Sequence, residues 1–283
     1  MTTTPKDAPD WRGMTQAARD AGFNNVNAVP DALAIVADWD RRSAALRAAH
    51  PTLLDLRYGP RERNRIDVFK VADDAPTLVF IHGGYWQTRA KETFAVFAEG
   101  PMAHGINVAL IGYTLAPDAT MDEIVGEIYA ALDYLAAHLP EIGCDTSQLV
   151  LSGWSAGGHM TAMALAHPAV KAGMAISGLY DLKPIRHSYL NDKLQLDEPM
   201  SRRNSPLLQN DGPNKPLAMV CGATELPLLR IQSAAFAGHR ASLGLPVSYE
   251  EIAGANHFSI MAEMAKPDGR ITTLIRNLFA RVG

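Results

Sequence analysis

The sequence predicts an α/β protein in which a mainly parallel sheet is covered by helices on both faces. Three observations lead there. Short runs such as TLVFI at 77–81, NVALIG at 107–112 and LAMVCG at 217–222 are apolar throughout, as strands buried on both faces are. Segments with helical spacing of apolar residues lie between them, and that alternation is the pattern of βα units. The chain has 283 residues, within reach of a single α/β domain that buries about 75% of its unfolded surface.

Composition narrows the function. Lys and Arg number 26 against 30 Asp and Glu, a formal charge of −4. No basic excess exists to hold a phosphate backbone, so nucleic acid is not an expected partner. Apolar residues at 47% and charged residues at 20% exclude a disordered chain. Two cysteines, Cys144 and Cys221, cannot build a disulfide framework or a four-thiolate zinc site. Cys221 lies in an apolar run and reads as a buried thiol. The first residues lack the apolar core of a signal peptide, and no apolar run approaches the ~20 residues that span a bilayer. The expectation is a soluble, cytoplasmic protein with no membrane partner.

The elements follow in order. Residues 31–50 carry helical spacing behind Pro30. RIDVFKV at 65–71 alternates like a strand, and 77–81 is a buried one. Residues 91–103 read as a helix and 107–112 as a strand. Residues 121–138 form a strongly amphipathic helix, with Thr120 as N-cap and Glu123 three residues on. QLVLS at 148–152 is a strand that runs through a turn straight into a helix at 156–167. Further strands fall at 173–177, 217–222 and 247–252, with helices at 226–243 and 271–281. The stretch 179–215 breaks the rhythm, being long, polar and proline-containing; connections of that length are usually lids or insertions. The expected organisation is an N-terminal helical segment, 1–57, packed on a catalytic domain, 58–283, with an insertion at about 179–215.

Two motifs carry chemistry. Gly153-Trp154-Ser155-Ala156-Gly157 fits G-x-S-x-G between a buried strand and a small-residue helix. A turn this sharp strains its middle residue and requires small neighbours two positions away. Ser155 is therefore the candidate nucleophile, standing at a helix N-terminus that favours developing negative charge. The second motif, His82-Gly83-Gly84-Tyr85-Trp86, follows a strand end. Its glycines let the backbone approach a ligand, so the N–H groups of Gly83 and Gly84, with that of Ala156, can serve as an oxyanion hole. His82 reads as a brace for the loop rather than a base.

A serine nucleophile needs a histidine base, which an acidic residue orients. Of nine histidines, His257 fits best, in the small-residue loop after 247–252. For the acid, Glu225 follows the strand 217–222 by three residues; the rival is Asp181, just after the strand at 173–177.

Together these residues resemble the α/β-hydrolase superfamily, its esterase/lipase group related to hormone-sensitive lipase, and within that the kynurenine formamidase (arylformamidase)-like branch. The likeness rests on the His82–Trp86 motif, with Tyr-Trp where many lipase relatives have a third glycine, and on Tyr113-Thr114-Leu115-Ala116-Pro117. It continues through residues 153–158, Ser177-Gly178-Leu179-Tyr180-Asp181-Leu182 and Asn256-His257-Phe258. It covers the chain from about Tyr58 onward. The resemblance implies an α/β-hydrolase fold with its lid or insertion after strand 6. It implies a Ser155–His257–Glu225 triad, although Glu225 stands where the superfamily more often has aspartate, and a homodimer.

The chemistry expected is acyl transfer to water without a cofactor or metal, on a small-molecule ester or amide. Short acyl esters follow from the triad; N-formyl aryl amides follow from the closer likeness. Tyr85, Trp86, Trp154 and Phe258 are the candidate substrate-binding residues, Trp86 and Trp154 having loop packing as the alternative. Arg186, Arg202 and Arg203 in the insertion either recruit an acidic substrate or are solvated surface charges. A non-catalytic binding protein on this fold is the other class kept open.

Overall fold

The structure, a computed structural model, describes residues 10–282. The described residues begin with a 3-10 turn at Trp11–Gly13, two short helices, α1 (Gln16–Ala21) and α2 (Asn25–Ala28), and a longer one, α3 (Ala32–Ala49). Strands β1 (Leu56–Arg57), β2 (Arg65–Phe69) and β3 (Pro76–Ile81) follow. A single helical turn, α4 (Glu99–Met102), precedes β4 (Asn107–Ile111), and α5 (Met121–His138) leads to β5 (Asp145–Trp154). Next come α6 (Ala156–Ala164), β6 (Val170–Ile176) and three short helices, α7 (Lys183–Arg186), α8 (Asn191–Leu194) and α9 (Glu198–Arg203). The chain finishes with β7 (Leu217–Gly222), α10 (Pro227–Ser242), β8 (Val247–Ile252), α11 (Ala262–Ala265) and α12 (Arg270–Val282).

The eight strands form one sheet in the order β1-β2-β4-β3-β5-β6-β7-β8. β1 and β2 are antiparallel to their neighbours; every pairing from β4 through β8 is parallel. This is the α/β-hydrolase architecture. Successive strand residues face opposite sides, so β3 sends Val79 and Ile81 into one core and Leu78 and Phe80 into the other. The first core packs Ile124, Ile128 and Leu132 of α5, Met160 of α6 and Phe236 of α10. The second packs Trp39 of α3, Phe94, Phe97 and Ile275 of α12. Two covered faces explain why the central strands read as unbroken apolar runs. Cys221 is fully buried on β7 and free, its thiol pushed up to about 12 by that burial.

Local chemistry sets the boundaries. At α5, Thr120 Oγ1 accepts the N–H of Glu123 at 3.3 Å and Glu123 Oε2 accepts the N–H of Thr120 at 2.8 Å, a complete capping box. The expected helix at 91–103 is corrected: Lys91–Ala98 is a 3-10 run, and α4 is one turn. Pro101 cannot donate to the carbonyl four residues back and collides with it. The 3-10 run is held in place by Lys91 Nζ, which pairs with buried Asp67 at 2.7 Å, while Arg47 of α3 pairs with the same carboxylate at 2.9 Å. The segment 179–215 keeps its irregular rhythm but folds locally into α7, α8 and α9.

Candidate active site

The chain leaves β5 through Ser155, which has φ +57° and ψ −117° and is 2% exposed. That strain is sustained by the backbone on either side. Ser155 N–H donates to Ile176 C=O at 2.8 Å, and its own carbonyl accepts His159 N–H at 3.1 Å inside α6. Small neighbours are obligatory. A Cβ on Gly157 would run into the carbonyl of Ile81, and one on Gly153 into Gly157. The turn therefore closes only with glycine at both places.

Three side chains meet there. His257 Nε2 lies 3.1 Å from Ser155 Oγ, and its Nδ1 lies 2.8 Å from Glu225 Oε2. The second carboxylate oxygen, Oε1, accepts the N–H of Gly222 at 2.6 Å and the hydroxyl of Ser177 at 2.5 Å. Glu225 and His257 are 5% and 3% exposed. A buried carboxylate held by three donors in this way can fix the orientation of an imidazole. The two loops brace each other: Thr224 donates through both its N–H and hydroxyl to Ala255 C=O, and Trp154 Nε1–H donates to His257 C=O at 2.9 Å. Asn256 Oδ1 accepts the N–H groups of Phe258 and Ser259, stiffening the histidine loop. Asp181 lies elsewhere. Its carboxylate accepts Lys183 N–H at 2.8 Å at the start of α7, and among the described residues it makes no bond to His257.

The glycine loop passes directly beneath the nucleophile. Gly83 packs against Trp154, whose ring and carbonyl would meet a Cβ within 3 Å, and Gly84 has φ +115°. Tyr85 and Trp86 follow, both left-handed, at φ +51° and +58°. Among the described residues the N–H groups of Gly83 and Gly84 have no acceptor, and Ala156, the first residue of α6, has none within its helix. His82 is a brace, as its surroundings require. It stacks on Tyr113 at 4.3 Å, bonds Gly83 C=O through Nδ1 at 2.8 Å, and burial pushes its pKa down to about 3.

Residues 67–221 match the BD-FAE family. The kynurenine formamidase of Danio rerio is 30% identical over 251 residues, spanning 83% of this chain and 84% of that protein. The chain belongs to the kynurenine formamidase branch of the α/β-hydrolases. Solved structures share the fold of this hydrolase. One from Silicibacter sp. tm1040 superposes with TM-score 0.83 at 25% identity, covering 91% of this chain and 98% of that one. Esterase B from Lactobacillus rhamnosis gives 0.70 at 16% identity, over 94% and 96%.

A cavity of about 210 Å³ opens over Ser155 and His257 in this α/β-hydrolase, and Tyr85, Trp154 and Phe258 line it. Trp86 takes the loop-packing alternative and not the substrate-binding one. It is fully buried, edge-on to His159 at 5.0 Å, and absent from the cavity wall; at φ +58° the loop turns it down into the core. The insertion arginines take the surface-charge alternative. Arg186 pairs with Glu198 and Arg203 with Asp122, Arg202 is exposed, and none of the three lines the cavity.

The rest of the wall comes from places the motifs do not mark. Asn24, Asn25 and Val26 reach it from the N-terminal segment, and Tyr189 and Leu190 from the insertion. Tyr85 Oη donates its one proton to Phe23 C=O at 2.8 Å, so it must accept from Asn25 Nδ2 at 3.0 Å, which fixes that amide's orientation. The two halves of this roof are joined: Gln16 and Arg19 donate to His187 C=O, and Asp20 accepts Tyr189 N–H at 2.8 Å. The signal in the sequence was the N-cap pattern Thr15 and Asn24 before short helices. It marks the helices and says nothing of their destination. Among the described residues no cluster of His, Cys, Asp and Glu is arranged to hold a metal, and no helix is long and apolar enough to cross a membrane.

Proposed function

We propose that this hydrolase cleaves N-formyl aryl amides and short acyl esters through an acyl-enzyme on Ser155. The observation that carries the reading is the unbroken relay from Ser155 Oγ through His257 to Glu225 at the floor of an aromatic-walled cavity. His257 Nε2 takes the hydroxyl proton as Ser155 Oγ bonds to the substrate carbonyl carbon. The carbonyl oxygen becomes an oxyanion facing the N–H groups of Gly83, Gly84 and Ala156, where one lost donor is worth about 10²–10³ in rate. His257 then gives its proton to the leaving amine or alcohol as the C–N or C–O bond breaks. Water attacks the acyl-enzyme by the same route and releases the acid. Glu225 holds the imidazole in one tautomer throughout.

The formyl preference is supported by the likeness to kynurenine formamidases and by the small cavity walled by Tyr85, Trp154, Tyr189 and Phe258, which suits a flat leaving group. The test compares N-formyl-kynurenine with p-nitrophenyl acetate at matched concentrations. Both are turned over by the native chain, and Ser155→Ala lowers both at least about 10³-fold. Rapid ester turnover beside negligible formamide turnover would leave a short-chain carboxylesterase. Unchanged turnover in the alanine variant, or no labelling of Ser155 by a fluorophosphonate, would remove the nucleophile.

A further inference from the structure

Four arginines of the described chain make neither an ion pair nor a hydrogen bond through the side chain: Arg89, Arg202, Arg276 and Arg281. The last three are exposed. Arg89 alone is half-buried, and it lines the cavity over Ser155. No Asp or Glu shares that wall, so Arg89 is its one permanent charge. Its placement is enforced. The backbone is left-handed at φ +75°, and its carbonyl accepts a hydrogen bond from the guanidinium of Arg63. Its Cγ lies against Gly84, 3.0 Å from where a Cβ there would stand, so the stem rests on the glycine loop itself. A half-buried guanidinium with five free donors fits a carboxylate, which it can hold through two parallel bonds.

We infer that Arg89 is a specificity-determining residue that binds a carboxylate of the substrate, so that the preferred substrates are anionic acyl compounds whose negative group lies away from the scissile carbonyl. The inference rests on the proposed reading of the Ser155 site as the place of hydrolysis. It assigns to the cavity a charge that the insertion arginines, absent from its wall, do not supply.

The test uses a matched pair of inhibitors, 3-phenylpropionate and its neutral amide, against p-nitrophenyl acetate hydrolysis by the full chain. The native protein binds the carboxylate at least about tenfold more tightly, as one charge-assisted contact provides. The margin narrows as salt rises. Arg89→Ala removes the difference and Arg89→Glu inverts it, while Arg202→Ala keeps it. Equal binding of the pair by the native protein, or a carboxylate preference that survives Arg89→Glu, overturns the inference. Calorimetric titration of the same pair into Ser155→Ala decides the matter without turnover. The two readings can therefore fail separately: loss of the carboxylate preference with Ser155-dependent hydrolysis intact removes only the role of Arg89. Hydrolysis indifferent to Ser155 removes the nucleophile whatever the titration gives.

Discussion

Ser177 shows how much of the candidate centre lies in a residue whose motif assigns it no role. It is fully buried, sits at φ +51° at the end of β6, and gives its hydroxyl to Glu225 Oε1. Gly222 supplies the other donor from its backbone, so side-chain replacement can remove only the serine's share. Ser177→Ala should lower kcat for p-nitrophenyl acetate about tenfold, the worth of one hydrogen bond to a charged group, with KM nearly unchanged. Steady-state kinetics check this, and a change confined to KM would reassign Ser177 to substrate binding. At this scale the sequence is legible where geometry forbids alternatives. Gly153 and Gly157 announce a turn because any Cβ there collides with backbone, and His257 could be picked out by its loop after a late strand. Arg89 and Asn25 were not legible. Their significance lies in what surrounds them, and nothing in the neighbouring residues records it.

Elements were read best where burial is two-sided or a cap is explicit. The central strands and α5 fall at the expected places because a continuous apolar run and a Thr-x-x-Glu box each have one stable outcome. Where local rules compete, spacing and structure diverge. Residues 91–103 have helical spacing, but Pro101 and the close approach of Gly100 to Met264 C=O divide the segment into a 3-10 run and a single turn. β1 has two residues, too few to carry a period, and it forms because Leu56 and Arg57 pair with Ile66 and Arg65. The capping box at α5 offers a clean test of the local argument. Thr120→Ala should cost about 1 kcal/mol and lower the thermal midpoint by roughly 2–4 °C, with the Ser155 site untouched. A shift below the error of calorimetry would show that tertiary packing alone fixes that end.

The whole molecule carries a pH dependence built from two histidines that cannot charge where they stand. His82, under the glycine loop, is pushed down to about 3, and His159, on α6 with Nε2 bonded to Asn204 C=O at 2.7 Å, to about 4, in both cases by burial. The unfolded chain takes up protons on both near pH 6.5 while the folded chain refuses them. Their contribution to stability is therefore complete above about 6.5 and is lost as pH falls toward 4 and then 3. Each drains up to about 1.4 kcal/mol per pH unit in that window. Urea midpoints should fall steadily from pH 7 to pH 4.5, and His159→Gln should flatten the slope; a flat profile across that range would contradict the burial of neutral imidazoles. Fold class could be read from alternation alone. The two-part roof could not, since its contacts join residues that lie far apart along the chain.

That separation has a consequence for how the protein comes into being. Gln16 and His187, which clasp across the roof, lie 171 residues apart. At ribosomal speeds of ~5–20 residues per second, roughly 10–30 s pass between the emergence of one and the other. During that interval the first helices have nothing to clasp, and the pocket still lacks Tyr189, Leu190, His257 and Phe258. Such a protein becomes competent late in translation, and a chain released early, before residue 187, would carry Ser155 without His257 and without the second half of the roof.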